Sequence, residues 1–101
     1  MTTIVVLFNL KPGVDRAAYE RWARETDLPI VNELRSVDSF EVLRTAGLLS
    51  GGAAPYDYVE IIRVNDMPAF GQDVASATVQ RVAAEYREFA DAPLFIQTEA
   101  L

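Results

Sequence analysis

Seven side chains in this sequence are of types and in settings that could support chemistry: Asp27, Tyr86, Asn9, Tyr19, Trp22, Arg44 and Glu60. Asp27 stands in Glu-Thr-Asp-Leu-Pro-Ile-Val (25–31), directly before Leu-Pro and at the end of a helical pattern. Facing an apolar pocket, its carboxyl would hold a proton more tightly than in water and could act as a general base or hydrogen-bond acceptor. The plain alternative is a polar residue solvating a kink or loop. Tyr86 lies on the inner stripe of a second helix, and its hydroxyl is either a proton donor in the same space or a satisfied core group. Tyr19 and Trp22 are neighbours on the first helix's inner stripe, as a ligand platform or as core aromatics whose polar tips need partners. Asn9 and Glu60 interrupt apolar strands; each marks a strand end or edge, or serves a site, because an unpaired buried polar group is costly. Arg44 and Arg63 are the available cations. Arg44 has two readings left open, a salt bridge to Glu60 and an anchor for an anionic substrate group.

Two absences narrow this chemistry. The chain has no histidine and no cysteine. Serine triads and imidazole metal centres are therefore out, as are disulfides, thiolate nucleophiles and zinc-thiolate sites. No metal constellation stands out, since Asp15, Glu20 and Glu25 have the spacing of an outer helix face. Gly51-Gly52 lacks the following Lys-Ser/Thr of a phosphate cradle. No metal or cofactor is expected.

The elements that must position these residues follow from periodicity. Ile4 to Leu10 reads as a strand closed by the turn Lys11-Pro12-Gly13. From Asp15 as N-cap, Ala18, Tyr19, Trp22, Ala23 and Thr26 fall at helical spacing, with Glu20 and Arg24 as an i,i+4 pair on the outer face. Pro29 disfavours helix at Leu28, so the helix should end or kink there, with Ile30, Val31 and Leu34 forming a further apolar turn. Ser39 to Gly47 reads as strand two, Leu48 to Pro55 as a Gly-rich loop, and Tyr56 to Val64 as strand three. Asp66-Met67-Pro68 opens a short helix to about Asp73. Ser76 opens a stronger one, with Val79, Val82, Ala83, Tyr86, Phe89 and Ala90 on one stripe. After Pro93, Leu94 to Ala100 is strand four. Arg81 and Glu85 read as solvated helix surface.

The order βαββαβ is the ferredoxin-like arrangement: an α+β fold in which right-handed crossovers set both helices on one face of a four-stranded antiparallel sheet. The 101 residues fit one domain. The sheet's other face should alternate polar with apolar, yet strands one, three and four are apolar at both parities. Burying five or six such side chains stabilises an assembly by on the order of 10 kcal/mol before association costs. A homodimer packed sheet to sheet is expected. The formal charge of -6 and the lack of a basic run argue against nucleic acid. No apolar run reaches a membrane span and no signal peptide is read; with cysteine absent, the expected location is the cytoplasm.

Taken together, Tyr19, Trp22, Asp27, Pro29, Leu34, Ser36, Val37, Phe40 and Arg44, within "YERWARETDLPIVNELRSVDSFEVLRT", resemble the REDY-like (HapK-type) proteins of the dimeric α/β-barrel superfamily. The superfamily resemblance spans nearly the whole chain. It implies a pocket in each subunit between the sheet and its own helices, and a small cyclic or aromatic ligand. The HapK-type subgroup is found with prodigiosin-type pigment biosynthesis. Many superfamily relatives carry a Thr-His-x-Pro stretch where this chain has Thr26-Asp27-Leu28-Pro29, so haem ligation and imidazole base chemistry do not carry over. The expectation is a small cofactor-independent enzyme of secondary or aromatic metabolism, with Asp27 and a tyrosine hydroxyl transferring protons. A non-catalytic ligand-binding dimer and a cofactor-free oxygenase are the rivals.

Overall fold

The computed structural model describes residues 1–101 as four strands and a set of helices. In chain order these are β1 (Thr2–Leu10), α1 (Arg16–Trp22), a π-helical turn (Ala23–Asp27), α2 (Leu28–Asn32), β2 (Val37–Arg44), β3 (Tyr58–Val64), α3 (Met67–Val74), α4 (Ala77–Phe89) and β4 (Ala90–Glu99). The sheet order is β2-β3-β1-β4, and every pair is antiparallel. This is the ferredoxin-like α+β fold expected from the element order.

Local chemistry starts α1, α3 and α4. The Ala17 N–H donates to the Asp15 carboxylate at 3.2 Å, Ala69 N–H to Asp66 at 3.0 Å and Val79 N–H to the Ser76 hydroxyl at 3.3 Å. These side chains satisfy N–H groups that the first turn leaves without an intrahelical partner. Glu20 and Arg24 form the expected i,i+4 pair at 3.4 Å.

The core lies between the helices and one sheet face. Ile4, Val6 and Phe8 of β1 and Tyr58, Ile62 and Val64 of β3 are buried there. Phe8 is its aromatic centre, stacked on Tyr58 at 5.4 Å and meeting Tyr19 and Tyr86 edge-to-face at 5.6 and 5.1 Å. Such offset and edge-on contacts are the favourable arrangements of ring quadrupoles.

The opposite face carries apolar rows set by the strand register. Leu43, Val59, Leu7 and Leu94 lie side by side across the four strands, and Ile61, Val5 and Ile96 form the next row. Leu43, Leu94 and Ile96 are exposed, the others half-buried. At the end of the sheet nearer Thr3, Arg63 pairs instead with Glu41 at 3.1 Å.

Several boundaries differ from expectation. β2 starts two residues earlier and ends at Arg44, with a register shift between Val37 and Ser39. β3 begins at Tyr58 because the Asp57 N–H is taken by the Phe8 carbonyl and the Asn9 side chain. β4 begins at Ala90 and runs through Pro93. Strand β4 is an edge, where a missing N–H is tolerated, and the register slips between Leu7 and Asn9 where Ala92 takes a φ of 43°.

Candidate active site

The first helix does not end at Leu28. Backbone at Ala23, Asp27 and Leu28 stays helical and the helix continues to Asn32. Pro29 falls in the opening turn of α2, where a missing N–H leaves no bond broken, and a π turn precedes it with the Leu28 N–H reaching back to the Ala23 carbonyl. The π turn also aims Asp27. At α-helical spacing, residues 19 and 27 stand about 80° apart around the axis. A π turn fits an extra residue into the turn and so rotates Asp27 back toward Tyr19. Tyr19, Ala23 and Asp27 accordingly form one buried line, exposed by 0%, 3% and 5%.

Beneath that line is a cluster of polar groups. Asp27, Glu60 and Tyr86 contribute to the wall of a partly open pocket of about 150 Å³ whose remaining walls are apolar, among them Val31, Phe40 and Ile62. Glu60 is 4% exposed. Its Oε2 and the hydroxyls of Tyr19 and Tyr86 are buried without a hydrogen-bond partner. Tyr19 backs the cluster: its ring borders a neighbouring cleft, while its hydroxyl feels the charges of Glu60 and Asp27.

Burial sets the protonation of these groups, because it penalises the charged form. It raises Asp27 to about 7. Glu60 is pushed well above the usual carboxylate range by burial and then by the charge on Asp27. Both phenols are raised above their ordinary value, first by burial and then by Glu60. Burial thus brings the Asp27 titration close to neutral pH and favours the protonated forms of Glu60 and Tyr86 beside it. No Lys or Arg lines the pocket.

The other sequence candidates lie elsewhere. Trp22 packs against Tyr86 and Phe89, and its indole N–H donates to Glu85 at 2.8 Å, so its polar tip is spoken for outside the cavity. Glu85 is thereby half-buried and bonded, not the solvated surface charge that its helical position suggests. Asn9 secures the turn before β3, donating to the Pro55 carbonyl at 3.3 Å and accepting from the Asp57 N–H at 2.9 Å. Arg44 does not meet Glu60. It reaches across to the first helix, where Nε and Nη2 bind the two oxygens of Glu20 at 2.8 and 2.5 Å.

Glu20 is the polar hub that helical spacing alone hides. It also accepts from the Tyr58 hydroxyl at 2.6 Å, and Arg44 first, then Tyr58, lower its carboxyl to about 2. Desolvation and Glu20 push the Tyr58 hydroxyl up to about 12. The only sequence signal was its pairing with Arg24. A cleft of about 150 Å³ lies here, walled by Ala23, Leu28 and Val42. No three acidic side chains converge as a metal site, and no helix is long and apolar enough to cross a membrane.

A ferredoxin-like α+β domain with buried, unpaired acids and phenols between its sheet and helices is the class defined by this arrangement. The profile of the family described as REDY-like protein HapK matches residues 2–101, and the chain belongs to that family. The crystal structure of HapK from Hahella chejuensis superposes with a TM-score of 0.80 at 29% identity, covering 100% of this chain and 93% of that one. SnoaB from Streptomyces nogalater, described as a cofactor-independent oxygenase, gives 0.78 at 18% identity over 99% and 92% of the two chains. A dimeric ferredoxin-like protein of unknown function from Thermobifida fusca gives 0.75 at 14% over 98% and 90%. At those lower identities the likeness is one of fold. No curated protein matches the chain in sequence.

Proposed function

We propose that this protein is a cofactor-independent proton-transfer enzyme acting on a small cyclic or aromatic substrate in the cavity between sheet and helices. The observation that carries this reading is the Asp27 carboxyl, buried in an apolar cavity and titrating at about 7, beside buried hydroxyl and carboxyl groups that nothing in the protein satisfies. A general base works best when its proton affinity matches the working pH. Buried donors left unpaired are costly in a resting protein and useful once a substrate oxygen meets them.

In this mechanism Asp27 takes a proton from a carbon beside a substrate carbonyl. The oxygen that gains negative charge accepts a hydrogen bond from the Tyr86 hydroxyl, with the protonated Glu60 as a second donor. Return of the proton from Asp27 to a different carbon gives isomerisation. Delivery of it to a departing hydroxyl gives dehydration. Tyr19 supports Asp27 from behind. The family resemblance supports a substrate from secondary metabolism, with pigment assembly the leading case, and the absence of cysteine supports action in the cytoplasm. The apolar rows on the open sheet face support a homodimer joined through them.

The test is turnover of small cyclic ketones or enones, followed as deuterium exchange at the carbon beside the carbonyl. Exchange should be lost in Asp27→Asn while binding persists. If parent and Asp27→Asn bind alike and neither exchanges any candidate, the protein is a carrier and the catalytic reading fails.

A further inference from the structure

A second, larger cavity adjoins the one that holds Asp27. It measures about 270 Å³ and is bordered by Ile4, Met67 and Gln97, with no charged residue on its lining. Ile62, Phe70, Val74 and Phe95 line both cavities and so form the partition between them. Ile62 is buried in the sheet, and Phe70 and Val74 are held on α3. Phe95 is the loose member: it stands on edge strand β4, is 61% exposed, and touches Tyr86 edge-on with ring centres 6.4 Å apart. Little packing opposes its rotation.

Size and polarity together indicate what would occupy the pair. Small-molecule sites typically occupy roughly 300–1,000 Å³. Neither cavity reaches that alone, while the two joined do. The inner one has the unpaired oxygens of Glu60 and Tyr86 buried in its wall; the outer one presents hydrocarbon, with Gln97 as its only polar wall. We propose that the substrate is bipartite, a polar ring seated against Asp27, Glu60 and Tyr86 with an alkyl arm lying over Ile4 and Met67, and that Phe95 swings aside to admit it and sets the arm's permitted length. This rests on the inner cavity being the ligand site, and it adds the substrate's shape and a specificity residue.

Calorimetric titration with phenol, 4-ethylphenol, 4-butylphenol and 4-hexylphenol tests it. Each added methylene that enters the outer cavity should tighten binding roughly fourfold. Met67→Trp and the more exposed Gln97→Trp both fill that cavity. Each should abolish the gain with chain length and leave phenol within about twofold of the parent. Phe95→Ala, which takes a wall from both cavities, should raise the preference for 4-hexylphenol over phenol above the parent's. Phenol binding with no gain along the series, or a gain that survives in folded Gln97→Trp, overturns the bipartite site and leaves the inner site standing. Failure of all four phenols to bind overturns both.

Discussion

The indole N–H of Trp22 donates a 2.8 Å hydrogen bond to the carboxylate of Glu85, 63 residues away, and so ties α1 to α4 above the core. The ring beside it lies 5.3 Å from Phe89 and 6.4 Å from Tyr86. Removing the acceptor leaves a part-buried donor unsatisfied, which typically costs about 1–3 kcal/mol. Glu85→Ala should lower unfolding free energy by that amount in urea. Glu85→Gln, which keeps an acceptor, should recover most of it. Trp22 is the chain's one tryptophan, so its emission reports the same change directly.

Asp27 should make stability and activity respond oppositely to pH. Its carboxyl titrates at about 7 in the fold against an ordinary 3.8. The folded protein thus binds the proton more tightly, so the contribution is complete below about pH 4 and is lost as pH rises through 7. Glu60 is raised too, by burial and by Asp27, and extends the loss further upward. Asp27→Asn should flatten the decline between pH 5 and 8 and exceed the parent's stability at pH 8 by on the order of 2–4 kcal/mol. Activity that needs ionised Asp27 should rise through the same interval. A parent whose stability is flat across it would remove the buried, unpaired carboxyl from the argument.

Glu20 works in the opposite direction and at lower pH. Arg44 and Tyr58 lower its carboxyl from 4.5 to about 2. The stability it supplies is present above about pH 4.5 and is lost as pH falls through 2. Glu20→Gln should shrink the loss over that acid range and cost about 1–2 kcal/mol at pH 7 through its weakened bonds to Arg44 and Tyr58. Arg44 has a largely exposed side chain whose ion pair is screened by solvent, so Arg44→Ala should shift the urea midpoint less than Glu20→Gln does. Urea midpoints at pH 7, 4 and 2.5 separate these effects.

The layout of the fold was legible because it rests on periodicity. Alternation in β1 and β3 and the stripe Val79, Val82 and Tyr86 are direct imprints of burial. Pro93 misled because its effect depends on whether a strand is an edge, which is a property of the whole sheet. The site was legible in its parts and not in its assembly. Asp27, Glu60 and Tyr86 stand out as polar groups near apolar patterns, but the rotation that aims Asp27 inward comes from a π turn whose only trace in the sequence is Pro29. Glu20 sits at an outer-face position, and its partners Arg44 and Tyr58 are brought to it by strands far along the chain. Long-range pairs of this kind leave no local pattern to read.

The open sheet face makes the last prediction. Leu7 sits at its centre on β1, flanked by Val59 on one side and Leu94 on the other. Water against these rows is unfavourable at roughly 25 cal/mol per Å² of apolar area, and a second copy offers the same rows by two-fold symmetry. The parent should therefore sediment at micromolar concentration as twice its 11.2 kDa chain. Leu7→Glu places a carboxylate in the middle of each face, so association would bury two like charges with no cation on either row. That variant should run as a single chain with its helices intact by circular dichroism, since residue 7 points away from the core held by Val6 and Phe8. Dilution of the parent should reproduce the same shift at nanomolar concentration. If the parent stays folded as a single chain at high concentration, the apolar rows have some other use, and the sheet-to-sheet dimer is wrong.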